Sequence, residues 1–225
     1  MKYALPLLAA LLAAPASAAD LSAGASLAAV SGDVTIQSKG GGRLGKKGDL
    51  IPADASVATA EGATAVIALP DGSRLKLRES SRAGVALPTK ASPFTEVLLS
   101  IGSVFAKVAK QAEGREFRVR TASAVAAVRG TEFFTAFGRA RGKRQDLWIC
   151  VNEGAVDVTT DKANKPLRVP AGKGILIKSG LDTTKPQAYD WTKTLNWKMD
   201  GEAAELEDKT VLDGAYSDLL DQDYR

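Results

Sequence analysis

Histidine is absent from this 225-residue chain, and cysteine occurs once. The first absence removes the commonest general base and the commonest metal ligand of proteins. A single thiol cannot form an internal disulfide, and pairing between chains is the less favoured alternative. Cys150 lies in the apolar run 147–151, which predicts a strand buried on both faces with the thiol as a small core residue.

No hydrophobic run is long enough to span a bilayer, which takes about 20 residues. The longest, residues 3–14, follows Met1-Lys2 and precedes Pro15 and the small-residue site at 16–19. This pattern predicts a secretory signal peptide over residues 1–19, cut after Ala18 or Ala19, with an uncleaved anchor as the alternative. We therefore expect an exported protein, periplasmic or extracellular, with no transmembrane segment in the mature chain.

Charge is divided unevenly along the mature chain. Residues 20–181 carry 24 Lys and Arg against 15 Asp and Glu, whereas residues 182–225 carry 5 against 11. The net charges are therefore +9 and −6. We predict a β domain over residues 20–181 and an acidic, partly helical tail over 182–225. Either each part has a partner of its own, or both are ordinary solvated surfaces.

Short runs rich in Val, Ile, Leu, Phe and Thr recur every eight to twelve residues, separated by Gly, Pro, Asp or Asn. This spacing is typical of a sandwich, barrel or β-solenoid, so the predicted fold is all-β with many short strands. The predicted strands are 33–37, 64–69, 73–78, 84–87, 96–100, 103–109, 116–120, 124–128, 132–137, 146–151, 155–159 and 174–178.

Two kinds of turn are predicted between these strands. Asp71-Gly72 favours a tight hairpin turn, because Asp-Gly tolerates positive φ angles. A Gly-x-Val unit begins at Gly32, Gly102 and Gly154, and it predicts a turn glycine followed by an inward-facing valine.

Five stretches carry a family resemblance when they are taken in order. They are Leu69–Leu77, Leu98–Phe105, Phe117–Thr121, Ala126–Phe133 and Val151–Val158, and Ala171–Gly174 closes the series. In these stretches the chain resembles the FecR domain, the periplasmic domain named after the regulator of iron-dicitrate uptake. The resemblance covers roughly residues 59–178.

The resemblance implies a twisted, solenoid-like β domain with a signalling or envelope-binding role and no catalysis. Signalling members carry a cytoplasmic anti-sigma segment and a transmembrane helix before this domain. The predicted signal peptide stands there instead, which favours a free-standing envelope protein over a direct regulator of a sigma factor.

The residues favour neither a catalytic nor a cofactor site. The glycine-rich stretch 40–47 fails as a phosphate loop, because Lys47 stands where a Ser or Thr would bind magnesium. The carboxylates offer no pair in one cleft and no metal-binding spacing. We therefore predict no enzyme activity, no cofactor and no metal.

Cations supply a candidate binding surface for an anionic envelope polymer, with a solvated surface as the alternative. Nucleic acid is not expected, because no aromatic residues interleave with these cations to stack bases. The predicted basic surface comprises Arg118, Arg120, Arg139, Arg141, Lys143 and Arg144.

The stretch Arg129-Gly130-Thr131 invites a binding-pair interpretation between Arg129 and Glu132. A bulge or sharp turn at Gly130 between two strands is the favoured interpretation.

The tail offers a second candidate surface. Two amphipathic segments can either pack on the β domain or dock an envelope protein. Their apolar residues are Trp191, Leu195, Trp197, Tyr216, Leu219 and Leu220. The predicted function is binding or scaffolding in the bacterial envelope or signal sensing, with docking to a regulator or receptor through the tail as one alternative. Binding of an anionic glycan or wall polymer is the other, and salt should weaken only this one strongly.

Overall fold

The computed structural model describes residues 24–138, 145–163, 165–201 and 203–210. The prediction of an all-β fold with many short strands is confirmed. The strands are β1 (Ser26–Ser31), β2 (Val34–Ser38), β3 (Gly41–Leu44), β4 (Ser56–Thr59), β5 (Thr64–Ala68), β6 (Arg74–Leu77), β7 (Arg82–Ala86), β8 (Phe94–Lys107), β9 (Glu116–Arg120), β10 (Ala124–Val128), β11 (Glu132–Phe137), β12 (Leu147–Glu153), β13 (Ala155–Thr160), β14 (Leu167–Pro170), β15 (Gly174–Lys178) and β16 (Asp182–Thr183).

The strands form one continuous 16-stranded sheet that turns over at β8 into two halves. The first half, called the first sheet, contains β1, β5, β6, the end of β8, β11, β12, β15 and β16. The second sheet contains β3, β2, β4, β7, the start of β8, β9, β10, β13 and β14. Neighbours are antiparallel except the parallel pair β8 and β9.

The turn between the two sheets lies inside β8, and here the prediction of two strands, 96–100 and 103–109, was wrong. One 14-residue strand runs through the expected break. Gly102 does not begin a strand but bends this one, with φ of 87°. The pairing with β7 skips one residue just before it, between Leu99 and Ile101. Such a bulge redirects a strand without ending it.

The residue patterns of the strands explain which faces are covered. In the second sheet, β9 and β10 alternate buried and half-buried residues, so one face packs and the other meets solvent. In the first sheet, all six residues of β11 and the first five of β12 are buried. The predicted two-sided burial of the Cys150 strand is therefore observed.

One hydrophobic core lies between the sheets. Side chains from the first sheet, such as Leu75 and Ile149, share a single cluster with side chains from the second, such as Val97 and Val119. All four are at most 1% exposed. Burial of this area is the main force that holds the two sheets together.

Several strands carry no strong sequence signal. β1, β4 and β14 are short runs with small or polar residues, and β3 is Gly-Gly-Arg-Leu, exposed throughout. They form because they pair with longer neighbours, not because their own composition favours a strand.

The helical tail is not confirmed. Between residues 189 and 210 the described chain contains a 3-10 turn, Asp190–Thr194, and one four-residue helix, Ala203–Leu206. The remaining residues there are irregular. Among the described residues, no helix has the length and apolar character that a membrane crossing requires.

Candidate functional site

Three cations alternate with two leucines along β6 and the residue after it. Leu75 and Leu77 are fully buried in the core, so Arg74, Lys76 and Arg78 point to the outer face of the first sheet. That face is covered by residues 189–201 and 203–210, which we call the strap. The cations donate to strap carbonyls: Arg74 to Met199 at 3.2 Å, Lys76 to Asn196 at 2.5 Å and Lys198 at 2.8 Å, and Arg78 to Asp208 at 3.2 Å and Thr210 at 2.9 Å.

An aromatic layer seals the strap to the sheet. The sheet contributes Phe105, Phe134 and Trp148, each at most 2% exposed. Trp191 meets the Trp148 ring edge-on with 5.5 Å between centroids, and Trp197 meets Phe105 in the same way at 5.2 Å. Such edge-to-face pairs add to the stabilisation from buried area.

Lys76 is the most unusual charge on this face, because its side chain is fully buried. Its pKa is lowered from 10.5 to about 8, chiefly by desolvation; Asp208 and Glu132 oppose this shift, and Arg78 contributes to it. The ammonium lies 4.5 Å from the centroid of the Phe105 ring. Two carbonyls and an aromatic face therefore take the place of water around this group.

Part of the acidic tail meets the basic body here. Arg74 pairs with Asp200 at 2.6 Å, and the buried Arg78 Nε lies 3.9 Å from the Asp208 Oδ2. These last two atoms have no hydrogen-bond partner within the described residues. At these two positions, a basic residue of the β domain thus pairs with an acidic residue of the tail within the same chain.

The structure places three of the predicted tail-docking residues in the strap. Leu195 is buried, and Trp191 and Trp197 are half-buried against the sheet. The other three, Tyr216, Leu219 and Leu220, lie outside the described residues.

The predicted basic surface falls on the outer face of the second sheet, where its described members are already paired. Arg118 pairs with Glu116 and stacks over the Phe94 ring at 3.8 Å. Arg120 donates twice to Glu96, at 3.0 and 2.9 Å, which raises the pKa of the guanidinium. The four loop cations, Arg139, Arg141, Lys143 and Arg144, lie outside the described residues.

A row of charges crosses this outer face in strand register. Glu96 faces Arg118, Arg118 faces Ala127, Ala127 faces Asp157, and Asp157 faces Arg168. Arg168 donates to Asp157 at 3.2 Å. Beside the row, Leu98 is 47% exposed. Along the described part of this row, acidic and basic side chains therefore alternate.

The Asp71-Gly72 turn joins β5 to β6. The Asp71 carboxylate accepts from the Ser73 amide at 2.9 Å, the Ser73 hydroxyl at 3.0 Å and the Gln111 amide at 3.0 Å. Gly72 has φ of 84°. The aspartate therefore ties the turn to the loop before β9.

The predicted turn residues Gly130, Thr131 and Gly154 lie close together in the structure. Gly130 has φ of 116°, and Gly154 lies so close that a Cβ there would be 3.0 Å from the Gly130 oxygen. The Thr131 hydroxyl donates to the Ala155 carbonyl at 3.0 Å. Arg129 is exposed, whereas the buried Glu132 accepts from Asn152 at 2.5 Å.

A cleft of about 340 Å³ opens between three loops at one end of the sandwich; we call it the turn cleft. The loops are the β5–β6 turn, the β7–β8 connection and the β8–β9 connection. Its walls are Pro70, Asp71, Leu87, Pro88, Thr89, Lys90, Pro93, Thr95, Gln111 and Arg115.

Reactive groups do not gather in the described part of the chain. Within it, no three His, Cys, Asp or Glu residues are grouped to hold a metal ion. The thiol of Cys150 is buried, and burial raises its pKa, so the nucleophilic thiolate is disfavoured.

Sequence reasoning missed Lys76, Asp208 and the turn cleft. The alternation Arg-Leu-Lys-Leu-Arg is typical of a strand with a solvated face, and only the three-dimensional path of the strap buries that face. A cleft between three loops has no local signature.

Comparisons with known proteins agree with this architecture. Residues 55–157 match a family model described as FecR protein. Two crystal structures of a candidate anti-sigma factor from Parabacteroides distasonis ATCC 8503 are similar, at 1.65 and 2.50 Å resolution. Sequence identity is 20% and 21%, with TM-scores of 0.52 and 0.50. At this identity the likeness shows the fold alone.

The matched region covers 62% of this chain in both comparisons, and 63% and 62% of the two crystallised chains. The similarity thus spans less than two thirds of those proteins. No curated protein matches this chain.

Proposed function

We propose that this chain, whose residues 55–157 match the FecR family model, is an exported, non-catalytic FecR-type module that docks a protein partner in the bacterial envelope as part of signalling. Residues 1–19 would direct export and 20–181 would form the module, with 182–225 as its tail. The similar structures are described as a candidate anti-sigma factor, which supports a signalling role.

One observation carries the proposal: the strap covers the outer face of the first sheet but not that of the second. The first sheet is buried on its outer face by the strap of the same chain. The second sheet keeps alternating half-buried residues on its outer face, called the open face, which contains Glu96, Leu98, Arg118, Arg120 and Asp157. The open face is the surface that a partner can reach.

The charges of the open face favour a protein partner over a polyanion. Each described arginine of the predicted basic surface already has a carboxylate partner, Glu116 for Arg118 and Glu96 for Arg120. A polyanion would have to displace those carboxylates, whereas a protein can match alternating charges around an exposed Leu98. We therefore place the docking site on the open face.

Site-specific photocrosslinking in intact envelopes tests this proposal. A photoreactive residue replaces Leu98 on the open face, and a matched one replaces Lys173, which is exposed in a turn. We expect one defined protein to be captured from position 98 and not from position 173. Capture of wall polymer from position 98, or equal capture from both positions, contradicts the proposal.

A charge swap adds specificity to this experiment. The double change Glu96→Arg with Arg120→Glu retains an internal ion pair but inverts the pattern that a partner would meet. We expect the crosslink from position 98 to be lost in the swapped protein while the chain stays folded, with only a small loss of thermal stability because the arginine introduced at position 96 would face Arg118. If the partner still crosslinks to the swapped protein, its binding does not depend on the charges at positions 96 and 120.

Docking through the tail is the second candidate. The strap occupies Trp191, Leu195 and Trp197, so we assign this role to the predicted segment with Tyr216, Leu219 and Leu220. A chain ending at Thr210 keeps the strap and removes that segment. Loss of the captured partner in this shortened chain, with the open-face variants unaffected, supports tail docking instead.

A further inference from the structure

We propose that the turn cleft binds a small amphipathic acid, with an apolar body in the cleft and a carboxylate at its cationic rim. This inference goes beyond the docking of a protein partner, because the cleft and the open face share no residue. The volume of about 340 Å³ is in the range of small-molecule sites and suits a ligand the size of one capped amino acid.

The walls give the cleft its apolar and preformed character. Pro70, Pro88 and Pro93 contribute rings whose backbone φ is fixed, and Leu87 packs against the core behind them. Walls of this kind lose little conformational entropy when a ligand binds.

Two cations provide the polar recognition. Lys90 and Arg115 line the cleft, and in the part of the chain that the structure describes neither forms an ion pair. A guanidinium and an ammonium without carboxylate partners are the groups that bind a carboxylate. The carboxylate of Asp71 is not their partner, because it is engaged by Ser73 and Gln111.

The lining disfavours other ligand classes. No aromatic ring lines the cleft, so a sugar would find nothing to stack on. Asp71 is the single carboxylate among the lining residues, and a cation site needs several oxygen ligands. A ligand with an apolar body and one negative group uses every described feature of the cleft.

The test compares two probes of the same shape by NMR with the whole chain. N-acetyl-leucine carries the carboxylate, and N-acetyl-leucinamide replaces it with a neutral amide. We expect N-acetyl-leucine to shift the backbone amide signals of Asp71, Thr89, Thr95 and Gln111. The neutral probe should bind about tenfold more weakly, since one charge-assisted hydrogen bond is lost.

Two variants and two matched controls identify the rim. Lys90→Gln and Arg115→Gln should each weaken N-acetyl-leucine about tenfold, and the exposed controls Lys39→Gln and Arg129→Gln should not. Unchanged signals elsewhere show that each variant is folded. Absence of binding, equal affinity for both probes, or equal loss in the controls overturns the proposal and leaves the docking proposal untouched.

Discussion

The ammonium of Lys76 donates to the main-chain oxygen of Lys198 at 2.8 Å, across 122 residues of sequence. This contact joins the first sheet to the strap. It involves a charged side chain that is fully buried. The arrangement makes the stability of the covered face depend on the protonation of one lysine.

We predict that Lys76 makes the folded protein relatively more stable as pH rises from about 8 to 10.5. In this window the unfolded chain keeps a proton on Lys76 that the folded chain has released, because desolvation lowers the folded pKa to about 8. Higher pH therefore favours folding, by at most about 3 kcal/mol for this one group. Denaturant unfolding at several pH values measures the effect.

The control for this experiment is Lys76→Met, which keeps the length of the side chain and removes the charge. The difference in unfolding free energy between the wild type and the variant should increase with pH across the same window, which cancels the titration of other groups. A flat difference would show that the pKa of Lys76 is unshifted, and a difference that falls with pH would show that the strap carbonyls raise it; either result contradicts the prediction.

A second prediction concerns the aromatic seal of the strap. Trp191→Ala removes a ring that contacts both Phe134 and Trp148, so we expect faster amide exchange over residues 189–199. Core strands β11 and β12 should exchange as before. Lys193→Ala is the matched control, because its ion pair with Asp190 is exposed and such pairs contribute little. Equal protection in both variants contradicts the prediction.

Most strands of the β domain could be predicted from the sequence, because their local composition is typical of strands. The predicted 116–120, 124–128 and 132–137 coincide with β9, β10 and β11. The failures have physical causes. A glycine with positive φ can end a strand or bend it, and only the pairing of both sides of Gly102 decides between the two.

The candidate surfaces were less predictable, since they depend on what lies opposite each residue. Arg118 and Arg120 lie in the predicted strand 116–120, but their carboxylate partners do not follow from the sequence. Glu96 comes from a parallel neighbour 24 residues away. Likewise, the tail was expected to be partly helical, but its described part packs against the sheet as a 3-10 turn, one four-residue helix and irregular chain.

The thiol of Cys150 gives a third prediction. It is buried and its pKa is raised by desolvation, so a thiol reagent should not label it in the native protein. Complete labelling should follow unfolding in denaturant. Mass spectrometry before and after unfolding measures the extent, and rapid native labelling would show that the β12–β15 region opens readily.

The fourth prediction concerns export. When the whole chain is expressed with a secretory apparatus, we expect the mature protein to begin at Ala19 or Asp20. Intact mass and amino-terminal sequencing of the exported fraction identify the cut. The double change Ala18→Arg with Ala19→Arg, which disrupts the small-residue site for both cuts, should leave a longer and membrane-associated product. A full-length protein recovered from the cytoplasm in both cases contradicts the prediction of a signal peptide.

The final prediction separates the cost of backbone strain from the cost of a steric clash at two glycines with positive φ. Gly102 and Gly72 have nearly the same φ, 87° and 84°. A Cβ at Gly102 would lie 2.5 Å from the Cα of Ser81, whereas nothing lies within 4 Å of one at Gly72. Gly72→Ala should therefore cost only the backbone term of about 1–2 kcal/mol. Gly102→Ala adds a clash with main chain and should destabilise by about 1–3 kcal/mol more, the cost of overpacking a core. Denaturant unfolding compares the two, and equal losses would show that β7 moves aside and that the bend in β8 is not sterically fixed.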